Sequence, residues 1–281
     1  MNKCDNNCKE CKNQENCNII KPNKLSNIKK IIAIGSGKGG VGKSLVTSLL
    51  ATKLSKEGFK VGILDADITG PSIAKIFGIK EKIQSEENCI IPCVSKSGIK
   101  IVSINMFLEN DDDAVIWRGP ILSNTVIQFY RDTIWGELDF LLIDMPPGTG
   151  DIVLTLYQSI KIDGLIIVTT PQDLVTLIIQ KSYKMAKQMN ISVIGLVENM
   201  SYIKCNECGN TINIFGESKI NELATKLNLK VLERIPLDPK LSIYVDNGNI
   251  EIYENTLFKN FIHKGIMNIP SYDGIGPNGK V

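Results

Sequence analysis

Histidine is almost missing from this chain: His263 is the single one among 281 residues. That removes histidine-based triads and histidine-rich metal centres from consideration. Arginine is nearly as scarce, with Arg118, Arg131 and Arg234 the only arginines among 32 basic residues, so forked grips on phosphate have few donors. An excess of charge is absent too. The 32 Lys and Arg stand against 30 Asp and Glu, leaving a net +2. A balance so near neutral gives no field for tracking a nucleic-acid backbone, so no nucleic-acid partner is expected. No apolar run of about 18 residues, enough to span a bilayer, occurs, so no membrane partner is expected. The N-terminal stretch MNKCDNNCKECKNQENC lacks the apolar core of a signal peptide. These absences predict a cytoplasmic protein. Thiols stay reduced there, so the eight cysteines read as metal ligands or reactive thiols and not as a disulfide framework.

What is present divides the chain in three. Residues 1–28 are polar, rich in Asn and Lys, and almost free of large apolar side chains before Ile19 and Ile20; metal on their cysteines is the one feature that could order them. Residues 29–269 carry the pattern of a single large domain, and 270–281 read as a loose Pro- and Gly-bearing tail. Strand-like runs fall at Lys30–Gly35, Lys60–Leu64, Ile99–Ile104, Phe140–Ile143, Leu165–Thr169, Val193–Val197 and Val231–Ile235. Helical spacing covers Gly42–Gly58, with Gly58 as C-cap, and Ile121–Trp135, Asp151–Ser159, Asp173–Met189 and Glu217–Leu227. This alternation predicts an α/β fold, a mostly parallel twisted sheet flanked by helices. Two hairpins interrupt it: residues 89–102, placed before a central strand, and residues 201–213, whose turn carries a CxxC. Cys89 and Cys93 alternate with Ile in the first and read as buried small hydrophobes. His263 sits on an amphipathic C-terminal helix, where packing is its expected role.

The strongest signal is Gly37-Lys38-Gly39-Gly40-Val41-Gly42-Lys43-Ser44, a G-x-x-x-x-G-K-[ST] loop after a predicted strand and opening a helix. Glycines let successive N–H groups turn inward around phosphate oxygens, and the helix N-terminus adds partial positive charge. In this pattern Lys43 reaches the β- and γ-phosphates and the Ser44 hydroxyl ligates Mg²⁺; Leu45 completes the nucleotide-binding stretch. Two carboxylate groups follow at predicted strand ends, Asp65 and Asp67 in ILDADITGPS and Asp144 in LLIDMPPGTGD.

KGGVGKS, with its extra Lys38, resembles the deviant Walker A motif of the MinD/ParA/nitrogenase-iron-protein class. Further stretches narrow the resemblance to the Mrp/ApbC ATPases and their eukaryotic cytosolic iron–sulfur scaffold relatives. They are DADITGPS (65–72), WRGP (117–120), DMPPGTGD (144–151), ENMSY (198–202) and IPLDP (235–239), in the right order over about residues 30–245. Thr69 stands where that family usually carries Tyr. The resemblance implies that Lys38 crosses a homodimer interface to the partner's nucleotide and that Asp67 orients the attacking water. It places Asp65 near the Mg²⁺ shell, Asp144 on a Mg²⁺-bound water, Pro146, Pro147 and Gly148 in a γ-phosphate-sensing turn, and Asn199 on adenine.

Cys205 and Cys208 supply two thiolates at a tight turn. Two ligands close neither a tetrahedral zinc site nor a [4Fe–4S] cluster, whereas a two-fold dimer brings four together. The resemblance implies a bridging, labile cluster there, with zinc as the competitor. Cys4, Cys8, Cys11 and Cys17 can enclose a metal centre within one short segment. The last three resemble the N-terminal [4Fe–4S] site of the scaffold relatives; zinc is again the alternative. The implied function is that of an ATP-hydrolysing iron–sulfur cluster carrier, a homodimer taking clusters from a donor and delivering them to apo-proteins. The competing readings are a MinD/ParA-like spatial-organisation ATPase with structural zinc, and a nitrogenase-iron-protein-like reductase.

Overall fold

A parallel strand covered by helices on both faces has to be apolar along its whole length. The KIIAIG run obeys this: it lies in β1 (Asn27–Ser36), whose last six residues are buried. The structure, a computed structural model, describes residues 19–68, 70–86, 89–108, 119–172, 175–205, 207–264, 266 and 269. Cys4, Cys8, Cys11, Cys17, Thr69, Trp117, Arg118 and the expected tail 270–281 lie outside them. After β1 the chain runs through α1 (Lys43–Lys56), β2 (Val61–Asp65), α2 (Ile73–Ile76), β3 (Gln84–Glu86), β4 (Cys89–Ile91), β5 (Cys93–Val94) and β6 (Lys100–Val102). It continues with α3 (Gly119–Asp132), β7 (Glu137–Asp144), α4 (Asp151–Ser159), β8 (Gly164–Thr169), α5 (Val175–Gln188) and β9 (Val193–Glu198). Last come β10 (Ile203–Lys204), β11 (Thr211–Ile212), α6 (Ile220–Leu227), β12 (Val231–Arg234), α7 (Pro239–Asp246) and α8 (Lys259–Lys264).

Eight strands form one sheet in the order β12-β9-β8-β1-β7-β2-β6-β5, parallel throughout except for β5 against β6. Two apolar layers cover it. On one face Val46, Leu49 and Leu50 of α1 pack with Ile32 and Ile34 of β1, together with Leu241 of α7 and Phe261 of α8. On the other, Val126 and Phe129 of α3, Leu156 of α4, Ile179 of α5 and Leu223 of α6 pack with Ala33 and Leu165. Asp144 lies level with both Ile34 and Asp65 in the register, so β2 and β7 end side by side and β1 runs on two residues to Ser36. Ligands of open α/β sheets bind outside such carboxyl ends.

The structure corrects three expectations. Residues 89–102 do not form one hairpin. Pro92, which has no N–H for a ladder, splits them, so β4 pairs back on β3 and only β5 pairs with β6. Trp135 is not helical: α3 ends at Asp132, Thr133 bridges to Ile90, and the fully buried indole donates through Nε1 to the Tyr130 carbonyl at 3.2 Å. Cys93 is buried as expected, whereas Cys89 is only half-buried and accepts from Asn23 Nδ2. His263 is exposed on α8 while its neighbours Phe261 and Ile262 enter the core.

Candidate functional site

The loop between β1 and α1 takes its shape from glycine. Gly42 caps α1 in the left-handed region at φ 79°, and a Cβ there would lie 2.2 Å from Asn199 Nδ2. A Cβ on Gly37 would lie 2.0 Å from Ile178 of α5, so that helix packs directly against the start of the loop. The loop lines a cleft of about 410 Å³, a size suited to a small molecule, together with Leu45, Asp67, Lys75, Pro147 and Val245. Pro147 belongs to the turn after β7, which is stitched to the loop by Gly148 N–H donating to the Ser36 carbonyl at 2.8 Å.

Lys43 is buried at the floor of this cleft. Its Nζ donates to Asp144 Oδ1 at 3.2 Å and to Asp67 Oδ2 at 3.4 Å. Asp144, wholly buried, also accepts from Ser44 Oγ at 2.5 Å and from Thr47 Oγ1 at 3.0 Å. Asp65 hydrogen-bonds away from Ser44. It accepts from Ser103 Oγ at 3.0 Å, from Ile73 N–H at 3.4 Å and from Asp67 N–H at 3.2 Å, which folds the 66–73 loop back on β2. Of the expected magnesium group, Ser44 and Asp144 touch, while Asp65, beside Asp144 on the neighbouring strand, bonds elsewhere.

The electrostatics follow from one cation serving several carboxylates. Burial pulls the Lys43 ammonium down, but the charges of Asp144, Asp67 and Asp65 outweigh it and leave it above its ordinary value. Burial pushes the Asp65 carboxyl up to about 7, and the Asp144 charge adds to that. Asp144 is raised as well, by burial, against the pull of Lys43 and the Ser44 hydrogen bond. A pocket of hard oxygen donors with negative charge in excess suits Mg²⁺.

The other expected nucleotide residues lie nearby. Lys38 is half-buried, and its ammonium donates to Gln172 Oε1 of the same chain. Asn199 is buried; its Nδ2 donates to the Val41 carbonyl at 3.0 Å and its N–H to the Thr169 carbonyl at 2.8 Å. In this structure its amide props the phosphate loop from beneath. Thr47, Ser103, Gln172 and Lys75 were not singled out from the sequence. Only Thr47 carried a readable signal, since it lies one helical turn beyond Lys43 on the same face.

Beyond β9 the chain forms the antiparallel ribbon β10–β11, Ile203 opposite Ile212, with both thiols in the connection. Cys205 N–H donates to the Asn210 carbonyl and Gly209 N–H to the Cys205 carbonyl, each at 2.9 Å. Cys205 is half-buried, Cys208 is exposed, and both are free. Hydrogen bonds from the Cys208 and Glu207 backbone N–H groups, then from the Cys208 side chain, hold the Cys205 thiol below its usual range and favour the thiolate, the form that binds metal. No third ligand stands by: among the described residues no group of three or more His, Cys, Asp or Glu is placed to hold a metal ion.

These features can be set beside known proteins. The ParA family model, described as NUBPL iron-transfer P-loop NTPase, matches residues 27–269. An iron-sulfur cluster carrier protein of Clostridium perfringens is 45% identical over 274 residues, covering 89% of this chain and 96% of its own. Another, of Methanocaldococcus jannaschii, is 46% identical over 260 residues, covering 88% and 90%. A nucleotide-binding protein from Archaeoglobus fulgidus, solved in complex with ADP and with Co found by PIXE, is 44% identical at a TM-score of 0.73, covering 81% of this chain and 89% of that one. The cell division ATPase MinD of Pyrococcus furiosus shares the fold alone, with 21% identity, a TM-score of 0.57 and coverage of 84% and 93%. With the phosphate loop, the parallel sheet and the match over nearly its whole described length, the chain belongs to the ParA/NUBPL iron-transfer P-loop NTPase family.

Proposed function

We propose that the chain is an ATPase that carries a labile [4Fe–4S] cluster on Cys205 and Cys208, shared between the protomers of a homodimer, and delivers it to apo-proteins. The observation that carries this reading is the thiol pair. Cys205 is held toward its thiolate form, Cys208 is exposed, and the chain offers no third ligand among the described residues. A second copy completes the four thiolates that a cluster needs. A MinD-like role with structural zinc is not favoured: the curated relatives at about 45% identity bear the carrier name, and MinD shares only the fold.

Membership of a P-loop NTPase family implies ATP hydrolysis, and the geometry supports a division of labour. Lys43 exchanges Asp144 and Asp67 for the β- and γ-phosphates, while the loop N–H groups and the start of α1 cradle the same oxygens. When bound, Mg²⁺ would be held by Ser44 and Asp144 and would neutralise phosphate charge. Asp67, at the rim of the cleft, orients the water that attacks the γ-phosphorus; the bond to the bridging oxygen breaks and ADP leaves. Lys38 exchanges Gln172 for the partner's nucleotide, and Asn199 acts on the nucleotide through Val41. Hydrolysis is slow in this reading and coupled to cluster release. Cys4, Cys8, Cys11 and Cys17 hold a second centre, iron–sulfur or zinc. The setting we propose is the cytoplasm, where thiols stay reduced: the four described cysteines are free, and no described helix is long and apolar enough to cross a membrane.

Anaerobic purification followed by iron, sulfide and zinc analysis tests the reading. Cys205→Ser and Cys208→Ser should each lose the shared cluster and weaken the dimer on gel filtration, while ADP still binds. Zinc without sulfide on the wild-type pair overturns the cluster assignment. Metal content unchanged in both variants removes the pair from the function.

A further inference from the structure

Glu198, the last residue of β9, is a carboxylate 1% exposed that takes no part in the phosphate chemistry above. Its bonds run to the thiol ribbon. Ser201 Oγ donates to Oε2 and Ser218 Oγ to Oε1, each at 2.5 Å. Arg234 Nε donates to Oε2 at 3.2 Å and to Ser201 Oγ at 2.9 Å. Ser201 and Ser218 stand on either side of the stretch 202–217, which contains β10, both thiols and β11. One carboxylate thus closes the base of the whole ribbon. The base matters because the described residues from 207 to 217 are exposed throughout and bury little against the body of the domain.

The next residue faces the other way. Asn199 reaches under the phosphate loop to the Val41 carbonyl, so adjacent residues hold the loop and the ribbon. We propose that Glu198 is the positioning residue for Cys205 and Cys208, and that the Glu198-Asn199 step transmits the state of the phosphate loop to the thiol pair. The proposal deepens the reading given above and rests on its assignment of nucleotide to the loop.

The test uses the reduced, metal-free full chain and follows hydrogen exchange over 202–217 and alkylation of Cys208, with and without ADP. In the wild type, ADP should slow both. Glu198→Ala leaves two hydroxyls and a guanidinium without their charged acceptor, so exchange over 202–217 should rise about ten- to a hundredfold. The ADP effect on the ribbon should vanish while ADP affinity stays unchanged. Glu198→Gln keeps an acceptor for one serine and should restore part of the protection. Three results overturn the proposal: no effect of ADP on the wild-type ribbon, wild-type exchange in Glu198→Ala, or ADP affinity falling in step with ribbon protection. Should Glu198→Ala fail to fold, Ser218→Ala decides, with faster exchange expected and an unchanged ribbon refuting. Because no metal is present, these outcomes are independent of whether Cys205→Ser loses a cluster, which judges the carrier reading alone.

Discussion

Replacing Asp65 by Asn should stabilise the nucleotide-free protein at alkaline pH and flatten its pH dependence. Asp65 is wholly buried between Asp144 and Ser103, and burial raises its carboxyl from an ordinary 3.8 to about 7. A carboxyl whose folded pKa lies above its unfolded one holds its proton more tightly when folded. Stability is therefore lost as pH climbs from about 4 to about 7, and stays lost above that. At 1.36 kcal/mol per unit, the full loss is about 4 kcal/mol. Asn carries no charge at any pH and removes it. In exchange, either Asp67 N–H or Ile73 N–H meets an amide instead of an oxygen, which costs about 1 kcal/mol, leaving a net gain of about 3 kcal/mol at pH 8. Below pH 4 the same variant should be about 1 kcal/mol less stable than the wild type. Urea unfolding without metal or nucleotide reads this directly, with a midpoint about 1 M higher at pH 8. If the variant keeps the wild-type pH slope, or is destabilised at pH 8, Asp65 is charged and compensated in the fold and the burial argument fails.

Lys43→Ala should abolish phosphate release and, by leaving Asp144 without its cation, destabilise the apo-protein by about 3 kcal/mol, with the cost shrinking as falling pH protonates Asp144, whose carboxyl burial already raises. Lys38→Ala should leave nucleotide affinity intact, because the side chain lies outside the Lys43 cage, yet lower hydrolysis in the dimer by about a thousandfold; normal turnover would refute the crossing lysine. A chain lacking residues 1–18 keeps Ile20, which donates to the Ser159 carbonyl, and all of β1, so it should fold. Mixed with a chelator, it should lack the slow phase of iron loss expected from four ligands on one segment. A single phase shared with the full chain, at equal iron content, would show that Cys4, Cys8, Cys11 and Cys17 hold no cluster.

The sheet was legible because its inner strands are buried on both faces and so read as unbroken apolar runs, as in Ile31–Ile34 and Leu141–Ile143. The phosphate loop was legible because left-handed turns and close approach leave little besides glycine. What escaped was whatever depends on contacts distant in sequence. Nothing local says that Trp135 turns away from α3 to bury itself beside Ile90 and Leu138. Pro92 was visible, but that β4 would pair backward with β3 depends on Gln84–Glu86, a polar stretch with no strand signal. Asp65 and Asp67 were located correctly at the end of β2, yet their opposite bonding was hidden. Asp67 meets Lys43 across the cleft while Asp65 meets Ser103, and Ser103 reaches it only because β6 lies beside β2.

Asn199 shows why a loop motif can be read while its pose cannot. The motif asks for glycine at position 42 so that backbone can approach phosphate. The fold adds a second demand, because any side chain there would strike the Asn199 amide that holds the Val41 carbonyl. A bulkier residue at 42 must enter the left-handed region and also displace a prop that comes from the end of β9. The phosphate loop is therefore not self-contained: its conformation is fixed partly by a residue 158 positions away from Val41. That residue is anchored in turn by the Thr169 carbonyl of β8 and followed by the leg that leads to the thiols. A shift of the loop on binding phosphate has to be absorbed either by Asn199 or by the strand that carries it. The second route runs straight to Glu198 and the base of the ribbon.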